Sequence, residues 1–410
     1  MISRRTLLRA SVLSVPVLGV GVERVVSAAT PATLPVDVVN NSGSNTVSAY
    51  VTGQAIDNGN ALMLLEADGR TPYYPPSPSS QTPVAVDCAI PLNASGGSPR
   101  TITIPHIAGG RIWFSIGSTL AFSVNPGPAL VEPSVSNPSD PNINVLWDFC
   151  EFTYDASQLY ANISFVDFVA LPIGLTLATS SGTQTIAGLP GDGLTTICSA
   201  LATQAASDGS DWGKLIVTGN GRNIRALSPN QAMAGGTSLF SGYFDNYIDQ
   251  VWSKYASSQL TIDTQYTWGT VTGQVVNGLL TFNGVGTFAK PATRDVFSCS
   301  SGPFTTGNDE MGNISARLAA AFNRTTLLID SKQPDGEHVS DYYTAAQTNH
   351  YARIVHATAT NGLGYAFPYD DVHPTGGTDL SGSVQSADPA RLTVTLGGPG
   401  GSGTPGKPSA

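Results

Sequence analysis

The chain has 410 residues, of which 41 % are hydrophobic and 12 % are charged, and its formal net charge is −10. This apolar content excludes a disordered chain, and the length predicts two packed units rather than one. The acidic balance argues against nucleic acid and anionic membranes as partners, because their phosphates would repel the surface. A neutral polysaccharide is compatible with that surface.

The first 29 residues have the pattern of an export signal. Arg4 and Arg5 precede Leu7 and Leu8, an apolar run follows, and small residues end the segment. Two arginines followed by two leucines are typical of a bacterial twin-arginine signal, and an ordinary secretory signal is the alternative. Either one predicts a secreted, extracellular protein. No later stretch reaches the ~20 apolar residues that span a bilayer, so no membrane partner is expected.

Residues 30–190 are predicted to form the first part of a β domain. Short runs such as NTVSAYVTG, TITIPHI and RIWFSIGSTLAFSV are separated by Gly, Asn or Pro turns, which is typical of strands. The Pro-rich residues 126–141 are predicted to be a surface loop. The segments CEFTY and YANISFVDFV, between Cys150 and Val169, predict two further strands around a polar turn.

Residues 191–360 are predicted to form a mixed α/β domain. Helices are indicated by GLTTICSALATQAAS, TSLFSGYFDNYIDQVWSKYAS, DEMGNISARLAAAFNR and DYYTAAQTNHYARIVHAT. The second of these has its apolar residues on one face of a 3.6-residue repeat. Asp309 and Glu310 suit the positive N-terminal end of the third. GTVTGQVVNGLLTF predicts a hairpin, because Asn277-Gly278 favours a tight primed turn.

Residues 361–396 return to β character, and residues 397–410 form a Gly/Ser/Pro-rich tail. The order of patterns therefore predicts a mainly β fold with an α+β insertion. The β unit would be a sandwich or barrel, and the mixed α/β unit would be inserted late in the chain.

The chain has four cysteines, Cys88, Cys150, Cys198 and Cys299. An even number in an exported protein predicts disulfides, and the wide spacing argues against zinc. Three pairings are open. A Cys198–Cys299 bond is favoured, because both residues lie in the helical region.

Several catalytic templates are excluded by the motifs that the sequence lacks. It contains no G-x-S-x-G elbow, no P-loop, no dinucleotide fingerprint and no H-E-x-x-H pair. No loop has the spacing that would supply the six to eight oxygens of a calcium site. No cofactor and no metal are therefore predicted. Two stretches remain that place carboxylates beside aromatic residues.

The first stretch contains Glu151 and Asp167. Side chains alternate along a strand, so Glu151, Thr153 and Asp155 share one face. Asp167 interrupts an apolar run, either as a buried structural acid or as part of a cleft. If the two segments pair around the ASQLY turn, Glu151 and Asp167 lie nearly opposite, with Cβ atoms about 5 to 7 Å apart. Such a pair could act as glycosidase carboxylates.

The second stretch is YAFPYDD, residues 365–371. It places Asp370 and Asp371 among Tyr365, Phe367 and Tyr369. Aromatic faces stack on sugar rings, and carboxylates accept hydrogen bonds from sugar hydroxyls. A turn with two exposed aspartates is the alternative, and spacing does not decide between them.

The motifs EFT, YANISFVDFVALPIGL and YAFPYDD, in this order, resemble the acidic cleft of thaumatin-like proteins. With four cysteines, an inserted helical region and predicted export, the chain is similar to glycoside hydrolase family 64, the laminaripentaose-producing β-1,3-glucanases. The resemblance covers residues 34–396. One departure concerns FVALP after Asp167, where plant thaumatin-like chains carry GFNLP, and it is expected to reshape the cleft floor.

The resemblance implies a thaumatin-like β domain, a mixed α/β domain and a groove between them. It implies a monomeric, inverting endo-β-1,3-glucanase that releases mainly five-sugar products from laminarin, curdlan or fungal cell wall. Glu151 would be the general acid and Asp167 the general base, about 6.5–9.5 Å apart. Sugar-binding residues would be Thr153, Asp155, Tyr160, Tyr369, Asp370 and Asp371. The alternative is a non-catalytic thaumatin-like lectin that binds β-1,3-glucan without cutting it.

Overall fold

The structure is a computed structural model that describes residues 29–398, except residues 220 and 235. The predicted export signal and the predicted tail lie almost wholly outside these residues. Within the described part the chain is mainly β, with several open sheets and short helices. None of the described helices is long and apolar enough to cross a membrane.

The largest sheet has eight strands and carries the candidate site. Its spatial order is β23 (Ser383–Ser386), β12 (Leu159–Ile163), β11 (Leu146–Tyr154), β8 (Ile107–Ile116), β2 (Val47–Ala55), β3 (Ala61–Leu65) and β4 (Pro72–Tyr73), with β6 (Ile90–Pro91) beside β2. The predicted β11–β12 hairpin is confirmed. The Asp155 side chain closes its turn by accepting hydrogen bonds from the backbone N–H groups of Ser157 and Gln158.

A second sheet has five strands, in the order β15 (Gly182–Ile186), β14 (Ile173–Thr179), β24 (Pro389–Leu396), β1 (Thr33–Asn40) and β7 (Arg100–Pro105). Strand β1 alternates buried and partly exposed residues, and Val36 and Val38 join the same apolar core as Val51 of the large sheet. A small sheet contains β5 (Thr82–Pro83), β9 (Ser123–Asn125) and β10 (Ala129–Val131). The late strands β23 and β24 therefore extend sheets that begin in the first third of the chain.

The helices lie between β15 and β23 in the chain. They are α1 (Gly193–Asp208), α2 (Pro229–Ala232), α3 (Asp245–Ser257), α4 (Thr293–Ser298), α5 (Asp309–Arg324) and α6 (His350–Thr358). A further five-stranded sheet is ordered β21 (Gly286–Phe288), β20 (Leu279–Phe282), β19 (Thr270–Val276), β18 (Leu260–Asp263) and β22 (Lys332–Gln333). Strands β13 (Phe168–Val169), β17 (Arg222–Leu227) and β16 (Ile216–Gly219) form a three-stranded sheet.

Local signals decide where the predicted helices begin. Helix α5 has the predicted bounds, because the Asn308 side chain accepts a hydrogen bond from the Met311 N–H and acidic residues follow it. The helix predicted over 237–257 begins only at residue 245, since Phe240 and Gly242 have positive φ. The helix predicted over 341–358 begins only at residue 350, where the Asn349 side chain caps the Ala352 N–H.

The predicted hairpin at Asn277-Gly278 is confirmed. Both residues have positive φ, as a primed turn between β19 and β20 requires.

The prediction of disulfides, including Cys198–Cys299, is wrong for the described residues. All four cysteines are buried and no bond joins them. Cys198 lies in α1, whereas Cys299 follows α4 and its Sγ lies 3.3 Å from Asn323 Nδ2. Burial raises the pKa of Cys88, Cys150 and Cys198 to about 12, so these three remain protonated thiols.

Candidate active site

Glu151 lies on the open face of the eight-stranded sheet. In register it has Arg111 of β8 on one side and Asn162 of β12 on the other. Its side chain is 17 % exposed, so it is screened from solvent but still accessible to a substrate. The predicted pairing of Glu151 with Asp167 is wrong, because β12 ends at Ile163 and Asn162 occupies the opposite position.

Arg111 connects the carboxylates of the site. Its Nε and Nη2 donate to Glu151 Oε1 at 3.2 and 3.0 Å, and its Nη1 donates to Glu132 Oε2 at 2.8 Å. The guanidinium carbon also lies 4.3 Å from the centre of the Phe149 ring. Burial would lower the pKa of Arg111, but Glu151, Glu132 and Asp167 raise it. The guanidinium is therefore a fixed positive charge among three acids.

Asp167 reaches the site from the connection that follows the hairpin. Its backbone carbonyl accepts from the Ser228 N–H at 2.9 Å, and its Oδ1 accepts from Gln231 Nε2 at 2.8 Å. Residues Phe168 and Val169 then pair with β17. The position of Asp167 is thus set by the segment that begins helix α2.

Asp148 connects the strand that carries Glu151 to the segment that carries Asp167. It lies three residues before Glu151 on β11 and is fully buried. Its Oδ2 accepts hydrogen bonds from the Ala170 and Leu171 N–H groups, both at 2.9 Å. The strand that carries Glu151 therefore also fixes the chain just beyond Asp167. This contact is the physical link between the two predicted catalytic residues.

A cavity of about 380 Å³ opens between these elements. Its lining combines charged, amide and aromatic side chains: Arg111, Trp113, Glu132, Trp147, Phe149, Asp167, Phe168 and Gln231, with residues 133–135. The loop predicted to be a plain surface connection, 126–141, therefore supplies one wall. Carboxylates above an aromatic floor suit a sugar ring, which has hydroxyl edges and apolar faces.

Three of the predicted sugar-binding residues lie near one another. Thr153 and Tyr160 are opposite each other across β11 and β12. Burial raises the pKa of Tyr160, with a further contribution from the Asp371 charge, so its hydroxyl stays neutral. Asp371 is partly exposed and accepts a 2.8 Å hydrogen bond from the Tyr365 hydroxyl. The pairing of the two strands thus places Tyr160 on the Glu151 side of the sheet, within the electrostatic influence of Asp371.

Asp155 and Tyr369 have other local partners. The Asp155 Oδ1 atom accepts three hydrogen bonds within its turn, two of them from Ser157 and the third from Gln158. Tyr369 is half-buried and packs against the core. Their proposed contact with sugar stays a prediction.

Asp370 is not a sugar-binding residue in this structure, and that prediction is wrong. It is 0 % exposed. Its Oδ1 accepts from Arg324 Nη2 at 3.1 Å, and its Oδ2 bonds to His356 Nε2 and the Ala366 N–H, both at 2.9 Å. A carboxylate with both oxygens engaged and no exposure does not reach a polysaccharide. Asp370 is thus buried, whereas the adjacent Asp371 is partly exposed.

Arg111, Glu132 and Gln231 were not among the predicted site residues. The run that contains Arg111 predicts only a strand, although an arginine sharing a face with Trp113 is a signal of a polar site. Glu132 and Gln231 had no such signal, since Glu132 follows the short strand β10, Gln231 lies in the short helix α2, and both are distant from Glu151 in the sequence. No group of three or more His, Cys, Asp or Glu residues in the described chain could hold a metal ion.

A cavity that combines carboxylates with an aromatic floor, with Glu151 held beside it by Arg111, fits the class of a carbohydrate-cleaving enzyme. The family model described as "Beta-1,3-glucanase" matches residues 32–396, so the chain belongs to this family of glycoside hydrolases, family 64. The resemblance to glycoside hydrolase family 64 is confirmed.

Two relatives align with nearly the whole chain. This chain is 31 % identical over 416 residues to the glucan endo-1,3-beta-glucosidase of Cellulosimicrobium cellulans, and the alignment covers 97 % of this chain and 73 % of that protein. A protein of the same name from Arthrobacter sp. (strain YCWD3) matches to the same extent.

Solved structures share the fold. A laminaripentaose-producing β-1,3-glucanase in complex with laminaritetraose has a TM-score of 0.79 and 34 % identity, covering 89 % of this chain and 99 % of that one. A β-1,3-glucanase domain from Clostridium beijerinckii has a TM-score of 0.70 at 23 % identity, with 89 % and 98 % covered. The second similarity concerns the fold alone.

Proposed function

We propose that this protein is a secreted, monomeric endo-β-1,3-glucanase. It would hydrolyse long β-1,3-glucan, as found in laminarin, curdlan and fungal cell wall, mainly to laminaripentaose. Family membership and the names of the relatives support the reaction and the substrate class. The observation that carries the assignment is the position of Arg111, which interacts with both Glu151 and Asp167.

We also infer a thaumatin-like arrangement of the β part, in which the eight-stranded and five-stranded sheets enclose one core. The shared core of Val36, Val38 and Val51 and the EFT hairpin support this. The groove would lie where the open face of the large sheet meets the segment after β17.

In the proposed mechanism Glu151 protonates the glycosidic oxygen, and Asp167 takes a proton from the attacking water. Both hydrogen bonds from Arg111 end on Oε1 of Glu151, which leaves Oε2 to face the glycosidic oxygen. Gln231 orients Asp167 through Oδ1. Inversion follows if the two carboxyl groups leave room for one water, since the water then attacks from the face opposite the leaving group.

The first product is expected to be the α-anomer. A proton NMR spectrum of the reducing end, recorded soon after mixing with a β-1,3-glucan and before mutarotation, tests this, and sizing of the products tests the five-unit length. A β-anomer formed first would contradict inversion and require Asp167 to act as a nucleophile. Release of single glucose units would contradict an endo-acting enzyme.

Glu132→Gln is expected to lower kcat on β-1,3-glucan about tenfold. In the native site the Arg111 guanidinium is held between Glu132 and Glu151. Without the Glu132 carboxylate the guanidinium loses this ion pair, and the hydrogen bonds by which it orients Glu151 are weakened. Glu132→Asp, which keeps the charge, is the matched control. An unchanged kcat in Glu132→Gln would show that Glu132 has no influence on the acid.

A further inference from the structure

The turn between β18 and β19 carries two neighbouring aromatic rings, of which Tyr266 is exposed and Trp268 is partly exposed. Tyr266 is 47 % exposed, and its ring centre lies 4.7 Å from that of Trp268. Few large apolar side chains in the described chain are this exposed. We call residues 264–269 the aromatic loop. Apolar aromatic surface that stays exposed to water at a hairpin turn is unfavourable. Its presence here suggests that a ligand with an apolar face binds to it.

The aromatic loop is held in place by contacts of Gln265, which precedes the two aromatic residues. Gln265 has a positive φ of 50°, a conformation that side chains rarely adopt without support. Its Nε2 donates to the His373 carbonyl at 2.8 Å, and its Oε1 accepts from Arg317 Nη2 at 2.9 Å. Arg317 is 5 % exposed and also donates to the Asp263 carbonyl. The two rings therefore project from a rigid base.

The same contacts connect the aromatic loop to the candidate active site. His373 bonds through Nδ1 to the Asp371 carbonyl at 2.7 Å. The charge of Asp371 acts on Tyr160, as does the charge of Glu151. Hydrogen bonds thus connect Asp371 through His373 and Gln265 to the loop that carries Tyr266. A glucan bound at Asp371 would therefore lie near the aromatic loop.

We propose that Tyr266 and Trp268 form an aromatic platform that binds sugar units of β-1,3-glucan beyond Asp371. The chemistry identifies the occupant, because stacking on aromatic rings suits a neutral sugar ring and the neighbouring Asp263, Asp335 and Asp371 disfavour an anionic polymer. The platform would help to select long chains over short ones. This inference rests on the proposed glucanase function and names a further part of the same substrate site.

The test compares Tyr266→Ala/Trp268→Ala with Tyr266→Phe/Trp268→Phe. The alanine variant is expected to lower the ratio of kcat/KM on laminarin to kcat/KM on laminarihexaose by about fivefold to tenfold. The phenylalanine variant keeps both rings and should retain most of that ratio. Leu279→Ala is the matched control, since Leu279 is 39 % exposed on the neighbouring β19–β20 hairpin. An alanine variant with an unchanged ratio overturns the platform.

A binding measurement separates failure of the platform from failure of the proposed function. All variants are made also in a Glu151→Gln background, and their depletion from solution by insoluble curdlan is measured. The platform predicts about fivefold to tenfold weaker depletion for the alanine pair than for Leu279→Ala. If hydrolysis by the unaltered protein is present and depletion by the two variants is equal, only the platform is wrong. If the unaltered protein neither hydrolyses nor binds curdlan, the glucanase proposal is wrong as well.

Discussion

Glu151→Gln is expected to lower kcat on β-1,3-glucan by about 10² to 10⁴-fold, because the amide carries no acidic proton for the leaving oxygen. Asp167→Asn should produce a loss of similar size, because an amide oxygen is too weak a base to activate water. Both substitutions preserve local hydrogen bonding. A glutamine carbonyl can still accept from Arg111, and an asparagine carbonyl can still accept from Gln231. The losses should therefore occur in kcat with the fold intact.

The measurement is reducing-end release from laminarin, with circular dichroism and thermal unfolding to confirm the fold. Asp249→Asn is the matched control, since that carboxylate is 65 % exposed on helix α3 and pairs only with surface Lys290 among the described contacts. Either active-site variant with most of the native kcat would refute the assignment. An unaltered protein that binds laminarin but releases no reducing ends would instead support the lectin alternative.

The local part of this fold could be predicted from the sequence. The EFT strand, the Asn277-Gly278 hairpin and the helix from Asp309 each have a signal within a few residues. The β11–β12 hairpin also followed from such a signal, and it places Thr153 opposite Tyr160. Short-range turn and cap chemistry is sufficient for elements of this kind.

The register at Asp167 could not be predicted from pattern alone. The apolar run from Ile163 to Val169 was interpreted as one strand, yet β12 ends at Ile163 and the chain then turns toward β17. The turn is fixed by long-range contacts, in which Asp148 accepts from Ala170 and Leu171 N–H groups. A buried carboxylate that captures two distant amides leaves no periodic signal in the sequence.

The ion pairs of the site also join residues that are far apart in the sequence. Arg111 is 40 positions from Glu151 and 21 from Glu132, and only the strand order brings the three together. The resemblance to a known family predicted Glu151 and Asp167, whereas the positive charge of Arg111 beside them is a finding of the structure.

Asp370→Asn is expected to destabilise the fold by about 3–5 kcal/mol, because it leaves Arg324 and His356 buried without their shared carboxylate. Arg324 is 1 % exposed, so water cannot replace the lost partner. Asp371→Asn, one residue along, should leave stability nearly unchanged and raise KM instead. Urea unfolding of both variants, beside laminarin kinetics, tests this contrast. Native stability with weakened glucan binding in Asp370→Asn would restore a sugar-binding role for Asp370.

The buried pair of Asp370 and His356 makes the free energy of unfolding depend on pH. Burial would raise the pKa of Asp370, but His356 and Arg324 lower it; burial would lower the pKa of His356, but Asp370 raises it. The Asp370 contribution is therefore present above its unfolded pKa near 3.8 and is lost as the pH falls through the lowered value. The His356 contribution is complete below its unfolded pKa near 6.5 and is lost as the pH rises through the raised value.

The Asp370–His356 pair consequently stabilises the fold most between the unfolded pKa of Asp370 and the unfolded pKa of His356. His356→Gln should remove the part of the unfolding free energy that declines above pH 6.5, whereas the exposed His338→Gln should leave it in place. Urea titrations from pH 5 to pH 9 measure the difference. Equal slopes in His356→Gln and in the unaltered protein would mean that His356 does not hold its extra proton against Asp370, and the contact would then be a hydrogen bond from a neutral imidazole to the carboxylate.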